Sequence, residues 1–367
     1  MRKTGVVNLP LHGGKAPAWL FGRMVKLAEA TSAIIIDEYG AEEFLKRLSE
    51  PWWFQSFGCV LGFDWHSSGL TTTVCGALKE ALKRKEQELG IFIAGGKGKT
   101  SMKTPLEIRN KGDMINLSDS DINNLIYSSK MSAKVDNTAV QDGYQLYQHS
   151  FFFDEKGRWC VVQQGMNPDN KYARRYHWLS SDFESFVEEP HSAICCDKTG
   201  KTLNMTSRDS REARNASVDL IKENPVKLEK NIDNVKRLRK DQSTLFNFSS
   251  FSMSSEHFPK ISVDMKILMK AYEEQPSNYE ELLAIKGVGP KTVRALALLS
   301  EIMYGKKASW KDPCKYAFAH GGKDGWPYPV NREVYDKSIE ILKDAIKQAK
   351  LKNYEKLNAL KRLNYSA

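Results

Sequence analysis

The sequence predicts an α+β protein, with a mixed N-terminal domain that contains a small β-sheet and an all-α C-terminal domain. Two alternating apolar segments flank the turn from Asp154 to Gly157, a pattern typical of an antiparallel strand pair. Apolar residues at helical spacing run from Ala16 to about Tyr39 and recur from Pro259 onward. A length of 367 residues allows two or three domains, so we assign these two patterns to different domains.

The remaining N-terminal elements follow from the same apolar pattern. A second helix is expected from Ala41 to Ser49 and a long one from about Thr71 to Leu89, which Gly90 terminates. Ile91 to Ala94 is expected to form a short strand ahead of a loop rich in glycine and lysine. Further strands are predicted at 144–153, 158–164 and 193–196.

Domain boundaries follow from changes in composition along the chain. The mixed domain is expected to cover residues 1–200. Residues 201–258 are predicted to be a charged helical connector followed by a linker, because Asp241 to Glu256 is rich in serine and phenylalanine. Residues 259–367 then form the predicted helical domain.

Charge and composition narrow the function. The formal net charge is +10, and residues 281–367 hold 17 Lys and Arg against 9 Asp and Glu, or +8 of that total. This bias favours a polyanionic partner. We expect a cytoplasmic protein without a membrane partner, since no segment approaches the roughly 20 apolar residues that span a bilayer and the first residues lack a signal-peptide pattern. The six cysteines form no Cys-x-x-Cys pair, which indicates buried thiols rather than a zinc site.

The most specific local signal is the segment 279–299, in which two apolar runs flank the turn 286–289. We expect two short helices joined by that turn, with Gly287 and Gly289 both at positive φ. Pro290 suits the first position of the second helix. The N-terminal amides of that helix would form an anion site, and neighbouring lysines would add positive charge.

This segment resembles a helix-hairpin-helix motif. The resemblance implies a module that grips the phosphate backbone of DNA without reading base sequence. The competing interpretation is an ordinary helical hairpin with a glycine turn. The residues expected to contact DNA are Lys286, Gly287, Val288, Gly289, Lys291, Thr292 and Arg294.

A second candidate for DNA contact lies in the mixed domain. Arg174 and Arg175 stand next to Tyr176 and Trp178, and cations interleaved with aromatic rings suit phosphate contact and base stacking. Alternatively, the aromatic rings belong to the core and the arginines to the surface.

The sequence Gly-Gly-Lys occurs three times, within residues 11–15, 94–100 and 319–323. Adjacent glycines expose backbone amides and the lysine adds a point charge, so each loop could hold a phosphate, and Lys323 joins the predicted DNA contacts. The alternative is a common exposed turn. The middle loop is not a Walker A motif, because Ile93 occupies the place of its first glycine, and we do not expect a nucleoside triphosphatase.

Three residues are candidates for catalysis. Asp64 and His66 lie at a predicted loop-to-helix junction, and His12 lies in the first Gly-Gly-Lys loop. Side chains of these types bind Mg²⁺ or Mn²⁺ or transfer protons, the chemistry that a nuclease needs. A capped helix start with a hydrogen-bonded histidine is the competing interpretation.

The hairpin is also similar to that of base-excision glycosylases built on the same motif. This similarity implies that Lys291 attacks the sugar and forms a Schiff base. The aspartate of those enzymes would fall near position 309, which is Ser309 here, and the nearest acids are Asp312 and Asp324. The chain therefore departs from the glycosylase pattern at the second catalytic position.

Beyond the hairpin, a second resemblance is carried by the segments 8–15, 61–79, 173–179, 189–193, 319–325 and 327–330. With these segments, most of the chain resembles one archaeal and bacterial family that is described only as a domain of unknown function. The resemblance implies a prokaryotic cytoplasmic protein and supplies no catalytic residues.

We therefore expect a DNA-binding, DNA-processing protein, with a metal-dependent nuclease as the leading hypothesis. One alternative is a noncatalytic binder that acts as a DNA-repair accessory or an architectural protein. The other is a Schiff-base glycosylase or lyase that uses Lys291.

Overall fold

The computed structural model describes residues 16–63, 68–182, 184–195, 199–240, 263–314, 332–349 and 351–366. The helices are α1 (Ala18–Ser49), α2 (Pro51–Leu61), α3 (Gly69–Leu82), α4 (Glu86–Leu89), α5 (Thr104–Met114), α6 (Asp119–Thr138), α7 (Arg211–Ile221), α8 (Pro225–Lys240), α9 (Met265–Glu274), α10 (Tyr279–Ala284), α11 (Pro290–Tyr304), α12 (Arg332–Gln348) and α13 (Asn353–Ser366). The strands are β1 (Ile91–Lys97), β2 (Val140–Gln141), β3 (Gln145–Asp154), β4 (Trp159–Asn167), β5 (Tyr172–Leu179), β6 (Ala193–Cys195) and β7 (Leu203–Asn204).

A five-stranded antiparallel sheet forms the centre of the fold, in the order β1-β3-β4-β5-β6. The predicted pair at Asp154 to Gly157 is confirmed, with Gly157 at φ +75° in the turn and Phe151 opposite Val161. Strands β2 and β7 form a separate two-stranded ladder. The mixed α+β prediction is therefore confirmed.

Helices cover both faces of the sheet. Successive strand residues point to opposite faces, so Phe151 and Val161 enter one apolar cluster, whereas Phe152 and Val162 enter another. The first cluster includes buried side chains from α5 to α11, and the second includes those from α1 to α3 and from α12 and α13. We call these the first layer and the second layer.

The helices after residue 259 are divided between the two layers. Leu268 of α9 and Leu296 of α11 belong to the first layer, whereas Leu342 of α12 and Ala359 of α13 belong to the second. A separate all-α C-terminal domain is therefore not confirmed. The amphipathic pattern of these helices suggested that they pack against one another. Their apolar sides are instead buried in the two apolar clusters on the faces of the sheet. The predicted linker at 241–256 lies outside the described residues.

Several predicted boundaries change for local reasons. The first two predicted helices are confirmed on either side of Gly40, whose non-helical backbone (φ +86°, ψ +163°) divides α1. The predicted helix from Thr71 to Leu89 is two helices, α3 and α4, and Gly90 ends the second in the left-handed region, as expected. Pro105 does not disturb α5, because it lies in the first turn, where no backbone donor is needed.

No helix in the described ranges combines the length and apolar composition needed to cross a membrane. None of the described cysteines forms a disulfide, and Cys59, Cys75, Cys160 and Cys195 are buried as expected.

Candidate functional site

The predicted hairpin is present as α10, a turn and α11. Leu282, Leu283 and Val293 are buried, which fixes both helices on the first layer. The turn closes through a hydrogen bond from the Val288 amide to the Ile285 carbonyl, 3.2 Å long. Both of these apolar residues are buried, so the turn is tied to the core rather than free in solvent.

The two glycines of the turn differ in conformation. Gly287 has φ +104°, and an added Cβ would lie 3.1 Å from Ile267, so glycine is required there, as predicted. Gly289 has φ −133° and ψ −173°, which is ordinary extended backbone, and its predicted positive φ is wrong. An added Cβ at Gly289 would meet only the Gly287 carbonyl oxygen, at 3.7 Å.

Gly289 is instead the N-cap residue of α11, with Pro290 in the first turn, as expected. A glycine has no side chain to accept from the first amides of the helix, and no acidic residue occupies the first turn. Among the described residues, no acceptor is hydrogen-bonded to the amides of Gly287, Gly289 or Lys291. The start of α11 is thus left open to solvent.

The predicted contact residues divide into exposed and buried groups. Lys286, Gly287 and Lys291 are exposed beside the open helix start. Thr292 is only 3% exposed and Arg294 only 7%, and burial lowers the pKa of the Arg294 guanidinium. Every residue of α11 from Thr292 to Glu301 is buried, so Arg294 is not placed for a surface contact.

The start of α10 is built in the opposite way. The Asn278 side chain accepts from the Glu281 amide at 2.9 Å, and the Glu281 carboxylate accepts from the Ser277 amide at 2.7 Å. This arrangement resembles a capping box, except that Glu281 bonds to the amide of the residue before the N-cap. Glu280 adds a second carboxylate to the first turn, so this helix start is both capped and acidic.

Direct hydrogen bonds fix the hairpin to the rest of the first layer. The Gln141 side-chain amide of β2 donates to the Pro290 carbonyl at 2.9 Å. The Tyr127 hydroxyl of α6 donates to Glu280 at 2.7 Å. Nothing in the sequence marks Gln141 as an anchor, since its partner lies 149 residues away, whereas the cap of α10 was readable from Asn278 and Glu281.

Arg174 and Arg175 are interior side chains, 1% and 0% exposed. Arg174 donates to Asp142 and to Asp312, each at 2.8 Å, and lies over the Tyr144 ring. These bonds occupy the buried guanidinium, so the predicted DNA contact of Arg174 is wrong.

Arg175 points into the second layer. It donates to His177 at 2.9 Å and to Gln55 at 3.0 Å, and its guanidinium lies 4.8 Å from the centroid of the Phe54 ring. Burial and the adjacent Arg175 charge hold the pKa of His177 well below its usual value. Trp178 is buried in the core, as the alternative interpretation expected. Arg175 is buried too, so it is not the surface arginine of that alternative. The predicted DNA contact of Arg175 is also wrong.

Asp312, a candidate for the glycosylase aspartate, has a structural role. Its carboxylate accepts from Arg174 and from the amides of Gly200 and Cys314, both at 2.9 Å. Lys291 is exposed, whereas a Schiff-base lysine needs a dry pocket.

The middle Gly-Gly-Lys loop is part of the sheet. Gly95 and Gly96 pair with Ser150 and His149 of β3. The Gly95 amide donates to the Glu107 carboxylate at 2.8 Å. That amide is therefore satisfied within the protein, and this loop is not a phosphate cradle.

The remaining predicted site residues, His12, Asp64, His66, Lys323 and Asp324, lie outside the described residues. Within the described part of the chain, no group of three or more His, Cys, Asp or Glu side chains is placed to hold a metal ion.

Comparison with known proteins identifies the family. A family model described as a protein of unknown function (DUF763) matches residues 5–330. The chain therefore belongs to that family. No curated protein matches, and no solved structure matches.

Proposed function

We propose that this member of the DUF763 family binds the phosphate backbone of DNA through the hairpin formed by α10, the turn and α11. The observation that carries the proposal is the start of α11, where Gly289 supplies no capping side chain and the amides of Gly289 and Lys291 have no acceptor among the described residues. Such amides and the helix dipole favour a negatively charged group. Because backbone amides contact phosphate rather than base edges, binding is independent of base sequence.

Two charges beside the open amides support an anionic ligand. Lys286 and Lys291 flank the turn, and both are exposed. Residues 281–367 carry 17 Lys and Arg against 9 Asp and Glu, an excess of 8. The ligand is a polyanion on this view, and its affinity falls with salt by a log–log slope of roughly 0.9 for each phosphate neutralised.

Two exposed cations in the second layer provide a matched control. Lys83 and Arg84 follow α3 and are exposed, so reversing their charge changes the net charge as much as reversing Lys286 and Lys291 does. Nonspecific attraction to the whole protein would weaken equally in both double variants. Binding through the hairpin weakens only when Lys286 and Lys291 are replaced.

The deciding experiment titrates end-labelled duplex, single-stranded and branched DNA with the full chain on native gels at several salt concentrations. We expect salt-sensitive binding of duplex DNA that Lys286→Glu/Lys291→Glu strongly weakens and Lys83→Glu/Arg84→Glu preserves. Equal loss in the two variants would reject the hairpin as the contact.

The same reactions test the three forms of DNA processing. Samples incubated with Mg²⁺, Mn²⁺ or EDTA and run on denaturing gels report strand cleavage. Metal-dependent cleavage that His12→Ala, Asp64→Ala or His66→Ala removes would assign a nuclease. A borohydride-trapped adduct that Lys291→Ala removes would assign a lyase, and bound but intact DNA would assign a noncatalytic binder.

A further inference from the structure

A chain of buried polar side chains crosses the first layer from α6 to the sheet. Ser129 and Asp136 lie on α6, His149 lies on β3 and Gln163 on β4, directly opposite His149. Ser129 is 3% exposed, His149 5%, and Asp136 and Gln163 are fully buried. Polar groups at this depth are retained only when hydrogen bonds compensate their desolvation.

The bonding partners fix the orientation of the Gln163 amide. The Trp178 indole, which can only donate, bonds to Asp136 Oδ2 at 3.1 Å, so this oxygen is an acceptor. Gln163 presents one end of its amide to Asp136 and, at 3.1 Å, to the carbonyl oxygen of Ser132. Two acceptors require the NH₂ group at that end, and Gln163 Oε1 therefore faces His149.

That orientation in turn fixes the tautomer of His149. Gln163 Oε1 accepts at 2.7 Å, so His149 Nδ1 carries the proton. The other ring nitrogen, Nε2, then holds a lone pair and lies 2.9 Å from Ser129 Oγ. Burial lowers the pKa of His149, which keeps the ring neutral at pH 7. A serine hydroxyl bonded to an oriented, neutral imidazole is the arrangement that activates a nucleophile.

The serine and histidine also share a cavity. Both line a pocket of about 310 Å³ that the start of α5, the middle of α6 and the first half of β3 enclose. Met102, Pro105 and Leu146 contribute apolar wall, and Lys130 contributes a cation. The volume suits a small molecule, and the lysine suits one that carries a negative charge.

We propose that Ser129 and His149 form a nucleophile–base pair that cleaves a small anionic carboxylic ester. Ser129 Oγ attacks the ester carbonyl while its proton passes to His149 Nε2. The carbon–oxygen bond to the alcohol breaks, and the departing alkoxide takes that proton from His149. Water then attacks the acyl-serine, His149 relays its proton to Ser129 Oγ, and the carboxylic acid leaves. This activity is independent of DNA binding.

The test is covalent capture with a small alkyl fluorophosphonate, followed by mass spectrometry of the intact protein and of its peptides. Ser129 Oγ attacks phosphorus, the phosphorus–fluorine bond breaks and fluoride leaves with the bonding electrons. We expect one adduct, on Ser129, formed without DNA. An unlabelled wild-type protein, or an adduct confined to other residues, would overturn the proposal.

Three variants distinguish a catalytic role of Ser129 and His149 from a purely structural one. Ser129→Ala should lose the adduct, and His149→Gln should label at least about 100-fold more slowly. The control is Ser128→Ala, the residue before Ser129 on α6, because Ser128 is also buried, at 7% exposed, but lies outside the chain of bonds from Asp136 to Ser129. It should label at the wild-type rate.

The pH profile of labelling tests the base directly. Since the pKa of His149 is lowered from 6.5, the neutral form already dominates at pH 7. The labelling rate should therefore be level between pH 7 and 8 and fall only as the pH drops through the lowered pKa. A rate that instead rises in proportion to hydroxide would show a serine without a base and reject the pair.

Discussion

The two helices of the hairpin begin in opposite ways. The start of α10 is closed by its own chain, through the Asn278 cap and the Glu281 carboxylate, and Glu280 makes it acidic. The start of α11 has a glycine at the cap position and lysines beside it. Both helices bury their apolar sides in the same core, so the difference concerns only the ends that face solvent.

This contrast separates a structural helix end from one that is available to a ligand. A cap contributes about 0.5–2 kcal/mol to stability, and the chain obtains that contribution at α10 but not at α11. At Gly289 the backbone conformation and the free space would both allow a capping side chain. The start of α11, where we propose that phosphate binds, therefore lacks a capping side chain, as do the starts of α1, α2, α3 and α5.

Reversing the two lysine charges should have the largest effect on the comparison. Lys286→Glu/Lys291→Glu makes the start of α11 as acidic as that of α10, and we expect DNA affinity to fall on the order of 100-fold near 0.1 M salt. The salt dependence should lose a slope of about 2, because two phosphate contacts are removed. Fluorescence anisotropy across a salt series measures both quantities, and an unchanged slope would contradict the proposed contacts.

Giving α11 a cap of its own should have the next largest effect. Gly289→Asp places a carboxylate on the open amides, so it competes with phosphate, and we expect about tenfold weaker DNA binding. The same change should raise the free energy of unfolding by a few tenths of a kcal/mol, since aspartate caps better than glycine. Urea unfolding and a binding titration should thus move in opposite directions; a joint loss would indicate misfolding instead.

Removing the cap of α10 tests whether the start of that helix stabilises the protein without contacting DNA. Asn278→Ala deprives the Glu281 amide of its acceptor and should lower the free energy of unfolding by about 1 kcal/mol. DNA affinity should stay within twofold of wild type, because this helix start is acidic and makes no phosphate contact on our proposal. A large loss of affinity would mean that both helix starts touch the ligand.

The smallest effect is expected at the contact between α6 and α10. Tyr127→Phe removes the hydrogen bond to Glu280 and should cost about 1 kcal/mol or less. Burial and the adjacent Glu280 raise the pKa of the Tyr127 hydroxyl, which stays protonated and donating at neutral pH. Thermal unfolding at pH 7 should detect the loss, and DNA binding should be unchanged.

Local signals were readable from the sequence, and contacts between distant residues were not. The turn from Asp154 to Gly157 and the positive φ of Gly287 depend on neighbouring residues alone, and both predictions are confirmed, whereas the positive φ predicted for Gly289 is wrong. Arg174 and Arg175 look like surface cations until the sheet register brings Asp142 and Gln55 to them. The local sequence around two arginines beside aromatic rings does not show whether the arginines are buried or exposed.

The catalytic candidates show the same limit. Ser129 and His149 stand 20 residues apart on different elements, and only the pairing of β3 with β4 brings Gln163 behind the imidazole. A lone serine within a helix has no sequence signature of reactivity. Conversely, His12, Asp64 and His66 were selected for their chemistry, and they lie outside the described residues.

The division of the C-terminal helices between the two layers has a consequence for how the protein is made. Arg362 of α13 donates to the Val60 carbonyl at 3.1 Å, a contact between residues 302 positions apart. During synthesis, the apolar surface of α1 to α3 therefore stays exposed until α12 and α13 have left the ribosome. Contacts between residues so distant in sequence slow folding and prolong the exposure of apolar surface that is prone to aggregation. We accordingly expect the nascent chain to depend on chaperones.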